Sequence, residues 1–467
     1  MTGNLYSLLA SRFPDDRRRP AFILPDGHQI DYGALETGVG RVAALLKAKG
    51  VAPGDRIACQ TPKSTAAIML YLASLKIGAI FLPLNTAYTA AEVDYFLSDA
   101  EPALFVQDAE GLAREAESLT PSADVHNTAS SDLAALIYTS GTTGRSKGAM
   151  ISHGALADNG LVLHKAWGFS PADVLLHALP IFHIHGLFVA LHTALLSGAP
   201  MLWLDKFDED QMLAALARAT VMMGVPTFYT RLLAHPRFTR EAARNVRLFV
   251  SGSAPLLEST FDAFEQRIGV RILERYGMSE AQMITSNPLA GDRLAGSVGF
   301  PLPGVDLRIA DDTGTGGVEI KGPSLFSGYW RNPEKTRDAF TEDGFFITGD
   351  IGRLDEDGRL WLSGRSGDLI ISGGLNVYPK EIELVLDELD GVVESAVIGC
   401  PHPDFGEAVV AVIVGGGEAE AMIAAVRQRL AAFKTPKRVV FVERLPRNAM
   451  GKVEKAALRK RYADLFQ

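Results

Sequence analysis

Cysteine is scarce in this chain, which has only two among 467 residues, Cys59 and Cys400. They lie far apart and form no C-x-x-C pair, so the sequence predicts neither a disulfide framework nor a zinc site, and a reducing cytoplasm fits best. No apolar run is long enough to cross a membrane, and the N-terminus lacks the apolar core of a signal peptide. The net charge of -9 is modest and basic residues are dispersed, so we expect neither a membrane nor a nucleic-acid partner.

Hydrophobic residues make up 47% of the chain, which at this length can build more than one core. Short apolar segments alternate with helix-like ones and predict an α/β fold of mixed, mainly parallel sheets with helices. The predicted strands here are residues 174–178, 201–204, 221–225 and 246–250. After Arg365 we predict helices at 380–389, 421–433 and 452–466 and strands at 394–398, 409–414 and 438–442. The expected domains are a large N-terminal one, residues 1–364, and a small α+β C-terminal one, residues 365–467.

The most informative segment is residues 138–148, with the sequence Y-T-S-G-T-T-G-R-S-K-G, after an apolar run at 133–137. Its glycines let the backbone approach an anion, its hydroxyl groups can donate hydrogen bonds, and Lys147 adds charge. It is not a Walker A loop, because Ser146 precedes the lysine and Gly148 follows it. The alternative is an ordinary polar surface loop, but its position after a strand favours triphosphate binding. The predicted phosphate-binding residues are Thr139, Ser140, Gly141, Thr142, Thr143, Gly144 and Lys147.

Four further segments follow in order: E-R-Y-G-M-S-E at 274–280, T-G-D at 348–350, G-R at 364–365 and P-R-N-A-M-G-K at 446–452. Each is weak alone. Together with the loop, over residues 57–455, they resemble the adenylate-forming acyl-CoA synthetase superfamily. The resemblance implies that a carboxylate attacks the α-phosphate of ATP, that pyrophosphate leaves, and that CoA then takes the acyl group from the adenylate. It also implies Mg²⁺ as a cofactor and a mobile C-terminal lid.

The resemblance assigns roles to single residues. Ser279 reaches the α-phosphate, Glu280 holds Mg²⁺ through its carboxylate, and Lys452 bridges the substrate carboxylate and the α-phosphate. Asp350 accepts hydrogen bonds from the ribose hydroxyls, and Arg365 assists it. The other positions implied for nucleotide and thiol are Gly252, Ser253, Ala254, Tyr276, Gly373 and Gly374.

Each of these residues also has an ordinary structural alternative. Ser279 and Glu280 could start a helix, as an N-cap and a first-turn acid. Asp350 and Arg365 could be a turn residue and a surface ion-pair partner, residues 252–254 a tight turn, and Lys452 one more lysine on a helix surface. Two departures from the family concern the hinge, where Gly367 replaces the usual Lys or Asp, and the loop, where Ser146 replaces a common proline. A glycine hinge is expected to rotate more loosely.

Arg231 and Arg275 point to the substrate, because a guanidinium matches the geometry of a second carboxylate. The segments around them, with F-H-I-H-G-L at 182–187 and N-V-Y-P-K at 376–380, resemble malonyl-CoA synthetases in particular. Malonate is therefore the predicted acid, with methylmalonate possible. His183 is placed at the reacting groups, His185 in the acyl pocket, and Met278 where it limits substituents on the α-carbon. The alternatives are a pairing of Arg231 with a local acid near a helix start and a surface pairing of Arg275 with Glu274.

Three other functions fit parts of the pattern. A synthetase for another short-chain or aryl acid would keep the nucleotide site and use the arginines structurally. A nucleotide-binding relative without catalysis would not need Lys452, Glu280, Asp350 and Arg365 together. A domain that acylates a carrier protein is a third, although no carrier-like segment follows. The expected partners are malonate, ATP and CoA, with a monomer or weak dimer as the assembly.

Overall fold

The structure is a computed structural model that describes residues 3–139, 146–310, 314–372, 375–448 and 451–466, except the side chain of residue 376. The chain forms two compact units: the first is Met1–Asp306 with Lys321–Gly344, and the second is Leu307–Ile320 with Phe345–Gln467. The predicted boundary at residue 364 separates the N-terminal domain from a mobile C-terminal lid, and this boundary stays a prediction. Within the described residues, no helix has both the length and the apolar character needed to span a membrane.

One sheet of the first unit carries the predicted phosphate loop. In spatial order its five strands are Leu104–Val106, Arg56–Cys59, Ile80–Pro83, Leu133–Thr139 and Lys147–Ser152. The first four are parallel and the last pair is antiparallel, with Thr139 opposite Lys147. Residues 134–138 are buried, as the apolar run at 133–137 predicts. The two ends of the loop are therefore fixed by neighbouring strands.

The other sheet of the first unit brings together the segments that contain the remaining motifs. In spatial order its strands are Ser297–Pro301, Gln282–Ser286, Leu273–Met278, Leu248–Ser251, Val221–Gly224, Leu175–His177, Met201–Trp203, Pro20–Ile23 and Gln29–Asp31. The six strands from Leu273–Met278 to Pro20–Ile23 are parallel, and the outer pairs are antiparallel. Because parallel strands end at one edge, the residues that follow them lie along that edge, where ligands of α/β sheets usually bind.

Helices pack against both sheets of the first unit. They are Leu5–Ala10, Tyr32–Ala48, Thr65–Ile77, Ala90–Ala100, Ala109–Ala116, His153–Ala166, Leu191–Ser197, Glu209–Leu216, Pro226–Ala234, Glu258–Ile268 and Pro333–Asp338, with a π-helix at His185–Ala190. Thr65–Ile77 is the most buried: Ser64 caps its first turn, and Gly78 ends it in the left-handed conformation with φ 77°. A π-helix is rare and frequently occurs at functional sites.

The second unit contains two groups of strands and short helices. In the first group, the strand Phe346–Leu354 pairs antiparallel with Gly316–Lys321 on one side and with Leu360–Arg365 on the other. The strand Asp306–Ile309 lies at the edge of this group. The second group is Leu375–Val377, Ile370–Ser372, Gly406–Gly415 and Val392–His402, with Arg438–Val442 parallel to Gly406–Gly415. The helices are Pro379–Asp387, Ala419–Arg429 and Lys455–Arg461, with 3₁₀ turns at Ser366–Asp368 and Ala432–Lys434. The predicted fold class is confirmed.

Several predicted boundaries shift, and one shift matters for function. The last helix begins at Lys455, whereas the sequence predicts its start at residue 452. Lys452 precedes the helix in a turn, where its backbone N–H donates to Asn448 Oδ1 at 3.0 Å. Gly451 has φ 76°, a left-handed value that interrupts helical geometry. The interpretation of Lys452 as a lysine on a helix surface is therefore wrong.

Candidate active site

Glu280 is a buried carboxylate next to the base of the phosphate loop. It is 7% exposed, and its Oε1 accepts hydrogen bonds from Thr139 Oγ1 and from the Tyr329 hydroxyl, each at 3.2 Å. Thr139 is the last described residue before the loop. A carboxylate held in place by two hydroxyl donors presents oxygen atoms of the kind that a hard cation beside phosphate prefers.

Ser279 and Glu280 lie in the turn of a β-hairpin between the antiparallel strands Leu273–Met278 and Gln282–Ser286. The alternative of a helix start at these residues is therefore wrong. Gly277, just before the turn, faces the opposite strand so closely that a Cβ there would lie 2.2 Å from the carbonyl oxygen of Gln282. Only glycine allows this close pairing, which places Ser279 and Glu280 at the end of the hairpin.

Aromatic side chains hold the far end of the phosphate loop. The Tyr95 hydroxyl donates to the Ser146 carbonyl at 2.8 Å, and Lys147 Nζ lies 4.8 Å from the centre of the Tyr329 ring. Tyr329 thus contacts both Lys147 and Glu280, the two charged residues assigned to this site. Ser140, Gly141, Thr142, Thr143 and Gly144 lie outside the described residues, so their phosphate contacts stay predictions.

Asp350 and Arg365 lie in the second unit on adjacent strands, directly opposite each other. Arg365 Nε donates to Asp350 Oδ1 at 2.8 Å. The Asp350 side chain is 8% exposed while that of Arg365 is 42% exposed, so the acid is enclosed and the guanidinium reaches solvent. The sequence left open the alternative of an ordinary surface ion pair. The observed pair differs from it because the Asp350 side chain is buried. Its binding of ribose stays a prediction.

The predicted adenine segment follows the buried strand Leu248–Ser251 at the sheet edge. Ser253 has φ 74°, an uncommon left-handed value for a residue other than glycine. Gly252 is needed at its position, because a Cβ there would lie 2.4 Å from the guanidinium carbon of Arg275. Tyr276 is 8% exposed, and Ala254 is half-buried. The segment is therefore a tight turn that also supports a buried arginine.

Arg275 is a buried cation. It is 3% exposed, and its Nε and Nη2 atoms have no hydrogen-bond partner among the described residues. Burial lowers its pKa to about 9, with Tyr229 and Glu274 opposing this, so the guanidinium stays protonated at neutral pH. The alternative of a surface pair with Glu274 is wrong, because both residues are buried. Unpartnered buried donors on a cation are costly, and an anionic ligand would satisfy them.

His185 lies beside the same turn. It is 1% exposed, its Nδ1 is 3.2 Å from Ser253 Oγ, and its Nε2 has no partner among the described residues. Burial, and then the charge of Arg275, hold the pKa of His185 well below its usual value, so the ring is neutral. The backbone N–H of His185 donates to His183 Nδ1 at 3.2 Å. His183 thus adjoins His185, which lies beside Arg275, and the predicted roles of both histidines stay predictions.

Arg231 is found elsewhere. It lies on the helix Pro226–Ala234, its side chain is 54% exposed, and it forms an ion pair of 2.6 Å with Glu209 at the start of the helix Glu209–Leu216. It also stacks over Phe207, 4.7 Å from the ring centre. These contacts match the alternative of a local acid near a helix start. They favour this alternative over the pocket with two arginines, which stays a prediction, and of the two arginines only Arg275 is buried.

Four other positions lie at a strand end, in a 3₁₀ turn or outside the described residues. Met278 ends the strand Leu273–Met278 and is half-buried, opposite Gln282. Gly367 lies inside the 3₁₀ turn Ser366–Asp368 and is not among the positive-φ glycines, so this conformation makes no use of its extra freedom. Gly373 and Gly374 lie outside the described residues, and their contact with a thiol stays a prediction.

The sequence analysis did not identify two tyrosines that contact the predicted site residues directly. Tyr329 and Tyr95 lie far along the chain from the residues they contact, at Glu280 and Ser146. Neither tyrosine stands in a recognisable pattern with its partner, so the sequence carries no signal for these contacts. Only the pairing of the strand Lys147–Ser152 with the segment around Tyr329 brings them together.

Comparison with known proteins adds a family and several relatives. Residues 10–330 match the AMP-binding enzyme family, and residues 381–452 match the AMP-binding enzyme C-terminal domain. The malonate–CoA ligase of Arabidopsis thaliana is 34% identical, covering 94% of this chain and 85% of the relative. The sulfoacetate–CoA ligase of Cupriavidus necator is 33% identical, covering 97% and 96%. Coverage of curated relatives ranges from 63% to 99% of their own length. The crystal structure of ATP-bound MatB from Rhodopseudomonas palustris is 48% identical, with a TM-score of 0.96 and 100% of both chains covered.

Proposed function

Since this chain belongs to the AMP-binding enzyme family and is an AMP-forming acid–CoA ligase, we propose that malonate is the acid it activates. The observation that carries the proposal is Arg275, a buried guanidinium with unpartnered donors next to a neutral histidine. A fatty-acyl pocket would gain nothing from such a group. A small acid with a second carboxylate would neutralise it and occupy its donors.

The reaction needs no nucleophile from the protein. A carboxylate oxygen of the acid attacks the α-phosphate of ATP, the bond to the β-phosphate breaks, and pyrophosphate leaves. The thiol sulfur of CoA then attacks the carbonyl carbon of the adenylate, loses its proton, and AMP leaves with the former acid oxygen. Charge spreads over phosphate oxygens in the first step, so fixed cations and donors lower the barrier most. Lys452, Lys147 and Ser279 are the groups we assign to that task.

Glu280 is the proposed Mg²⁺ ligand. No group of three or more His, Cys, Asp and Glu side chains in the described part of the chain could hold a metal without other ligands. A single buried carboxylate fits Mg²⁺, which commonly takes one or two carboxylates and completes its shell with phosphate and water. When bound, the ion would neutralise phosphate charge. Thr139 and Tyr329 fix the orientation of the carboxylate for it.

Steady-state AMP formation with a panel of acids tests the proposal. With ATP, Mg²⁺ and CoA present, we expect the highest kcat/KM for malonate, lower values for methylmalonate and sulfoacetate, and much lower values for acetate, octanoate and benzoate. Malonate and sulfoacetate both carry a second anion for Arg275, so the ranking between them reports the shape of the anion. A clear preference for a monocarboxylate would refute malonate and leave the ligase chemistry intact.

Met278 is proposed to limit the size of the α-substituent. It ends a strand one residue before Ser279 and is only half-buried, so shortening it should open space without collapsing a core. We expect Met278→Ala to raise the ratio of kcat/KM for ethylmalonate over malonate about tenfold, since one or two methylenes in an apolar site are worth roughly 1–3 kcal/mol. An unchanged ratio, with ATP binding unaffected, would show that Met278 does not face the α-carbon.

A further inference from the structure

Lys63 is a lysine whose ammonium group is enclosed and to which the proposed chemistry gives no role. It follows the strand Arg56–Cys59, and its Nζ contacts three acceptors: His177 Nδ1 at 3.0 Å, the His177 carbonyl at 2.8 Å and the Leu204 carbonyl at 2.5 Å. The Nζ also lies 4.1 Å from the centre of the Trp203 ring. Burial lowers the pKa of Lys63 well below its usual value, but three acceptors and an indole face match the three N–H bonds and the charge of an ammonium ion, and this geometry favours the charged form.

The contacts of His177 fix its tautomer. Its Nε2 is 3.0 Å from the carbonyl oxygen of Gly186, and a carbonyl only accepts, so Nε2 carries the hydrogen. Nδ1 therefore presents a lone pair, which Lys63 satisfies. Were Lys63 neutral and accepting from Nδ1–H, Nε2 would face the carbonyl with a lone pair and the contact would become repulsive. Lys63 thus keeps His177 able to donate to Gly186.

Gly186 is the residue after His185, at the start of the π-helix His185–Ala190. A Cβ at Gly186 would lie 2.1 Å from the Pro180 carbonyl oxygen, so the turn packs tightly against the segment before it. The imidazole of His177 is fully buried and packs against Trp203, with ring centres 4.6 Å apart. A rigid imidazole therefore holds the backbone that positions His185 beside Ser253 and Arg275.

We propose that Lys63 is a positioning residue for the acid-binding pocket, acting through His177 on the Gly186 carbonyl and so on the turn that carries His183 and His185. This inference rests on the proposed function, because it takes the acid to bind at Arg275 and His185. In this proposal, Lys63 itself contacts neither the acid substrate nor the nucleotide. Its effect should thus fall on the affinity for the acid.

Lys76 provides a matched control for this role. It too is a largely buried lysine, with its Nζ 3.2 Å from the Ala123 carbonyl and 4.7 Å from the centre of the Tyr6 ring. None of these contacts belongs to the turn at 183–186. A lysine that only stabilises the fold should respond to substitution as Lys76 does.

The test compares Lys63→Met with Lys76→Met in the full-length enzyme. We expect Lys63→Met to raise the KM for malonate about ten- to a hundredfold while the KM for ATP stays near the wild-type value, since a small displacement of a positioning group has effects of this size. Lys76→Met should lower the melting temperature with both KM values unchanged. Equal melting-temperature shifts with no rise in the malonate KM for Lys63→Met would overturn the proposal.

Two substitutions at His177 test the path itself. Both amides carry an acceptor oxygen and a donor NH₂, but Gln reaches about as far as Nε2 and can donate to the Gly186 carbonyl, whereas the shorter Asn reaches about as far as Nδ1 and can accept from Lys63. We expect His177→Asn to raise the malonate KM more than His177→Gln, and Lys63→Met to add little to His177→Asn. Additive effects would refute the path through the Gly186 carbonyl.

Arg275→Met, measured in parallel, separates the two proposals. If it raises the malonate KM and Lys63→Met does not, the pocket stands and the positioning role fails. If neither changes the malonate KM, the placement of the pocket fails, and the positioning role fails with it.

Discussion

Lys452→Ala is expected to lower the rate of AMP formation about a hundred- to a thousandfold, the cost of removing one fixed group that stabilises transition-state charge. The resemblance gives this lysine the task of bridging the acid and the α-phosphate during adenylation only. Transfer of the acyl group from a supplied adenylate to CoA should therefore continue at nearly the wild-type rate. Lys452 is exposed and lies before the final helix.

Both half-reactions have to be measured to test Lys452. Malonate-dependent exchange of labelled pyrophosphate into ATP reports adenylation, and release of AMP from synthetic malonyl-adenylate with CoA reports thiol transfer. Lys460→Ala is the control, because Lys460 is an exposed lysine on the same final helix. If both half-reactions fell together in Lys452→Ala, the residue would act on folding or on both steps, and the assignment would be wrong. If Lys460→Ala matched it, the effect would be one of surface charge.

The predicted nucleotide-binding residues could be named from the sequence because each is tied to its own short segment. Asp350 and Arg365 lie on consecutive strands joined by the short connection 355–359, and their antiparallel register puts them opposite each other. Glu280 and Thr139 are distant in the sequence and belong to different sheets, and they meet because the hairpin of one sheet lies beside the strand end of the other. A motif predicts which residue types are needed, whereas strand pairing determines their distances, and pairing over such separations is not encoded locally.

The exposure of Arg231 could have been predicted from the sequence, whereas the burial of Arg275 could not. On the helix Pro226–Ala234, Tyr229 and Leu232 are the buried residues. Positions three apart lie on one face of a helix, so the residue between them at 231 points away from the core. Arg275 lies on a strand whose residues 273–276 are all buried, and there the residue type alone gave no guide to burial. Helical periodicity could have indicated that the Arg231 side chain is exposed. No sequence pattern indicated whether the Arg275 side chain is buried or exposed.

Arg275 determines the second large expected effect. It is a buried positive charge whose Nε and Nη2 atoms have no hydrogen-bond partner among the described residues, and a bound anion would offset the cost of that burial. The relief depends on the second carboxylate of the acid and on no other part of it. A monocarboxylate of similar size leaves the guanidinium as it was, and the enzyme gains little from binding it.

Arg275→Met keeps most of the apolar stem of the side chain and removes its charge and donors, and we expect kcat/KM for malonate to fall about a hundred- to a thousandfold, in the range of 2–5 kcal/mol for a broken buried charge pair. The value for propionate should change far less, because its methyl group needs no cation. Arg231→Ala is the control, since it removes an exposed ion pair, which contributes little to stability, and should keep malonate activity. The reverse pattern, with malonate activity lost in Arg231→Ala and kept in Arg275→Met, would move the acid site to the helix Pro226–Ala234. A drop of equal size for malonate and propionate in Arg275→Met would instead make Arg275 a structural support of the turn at Gly252, against which its guanidinium packs.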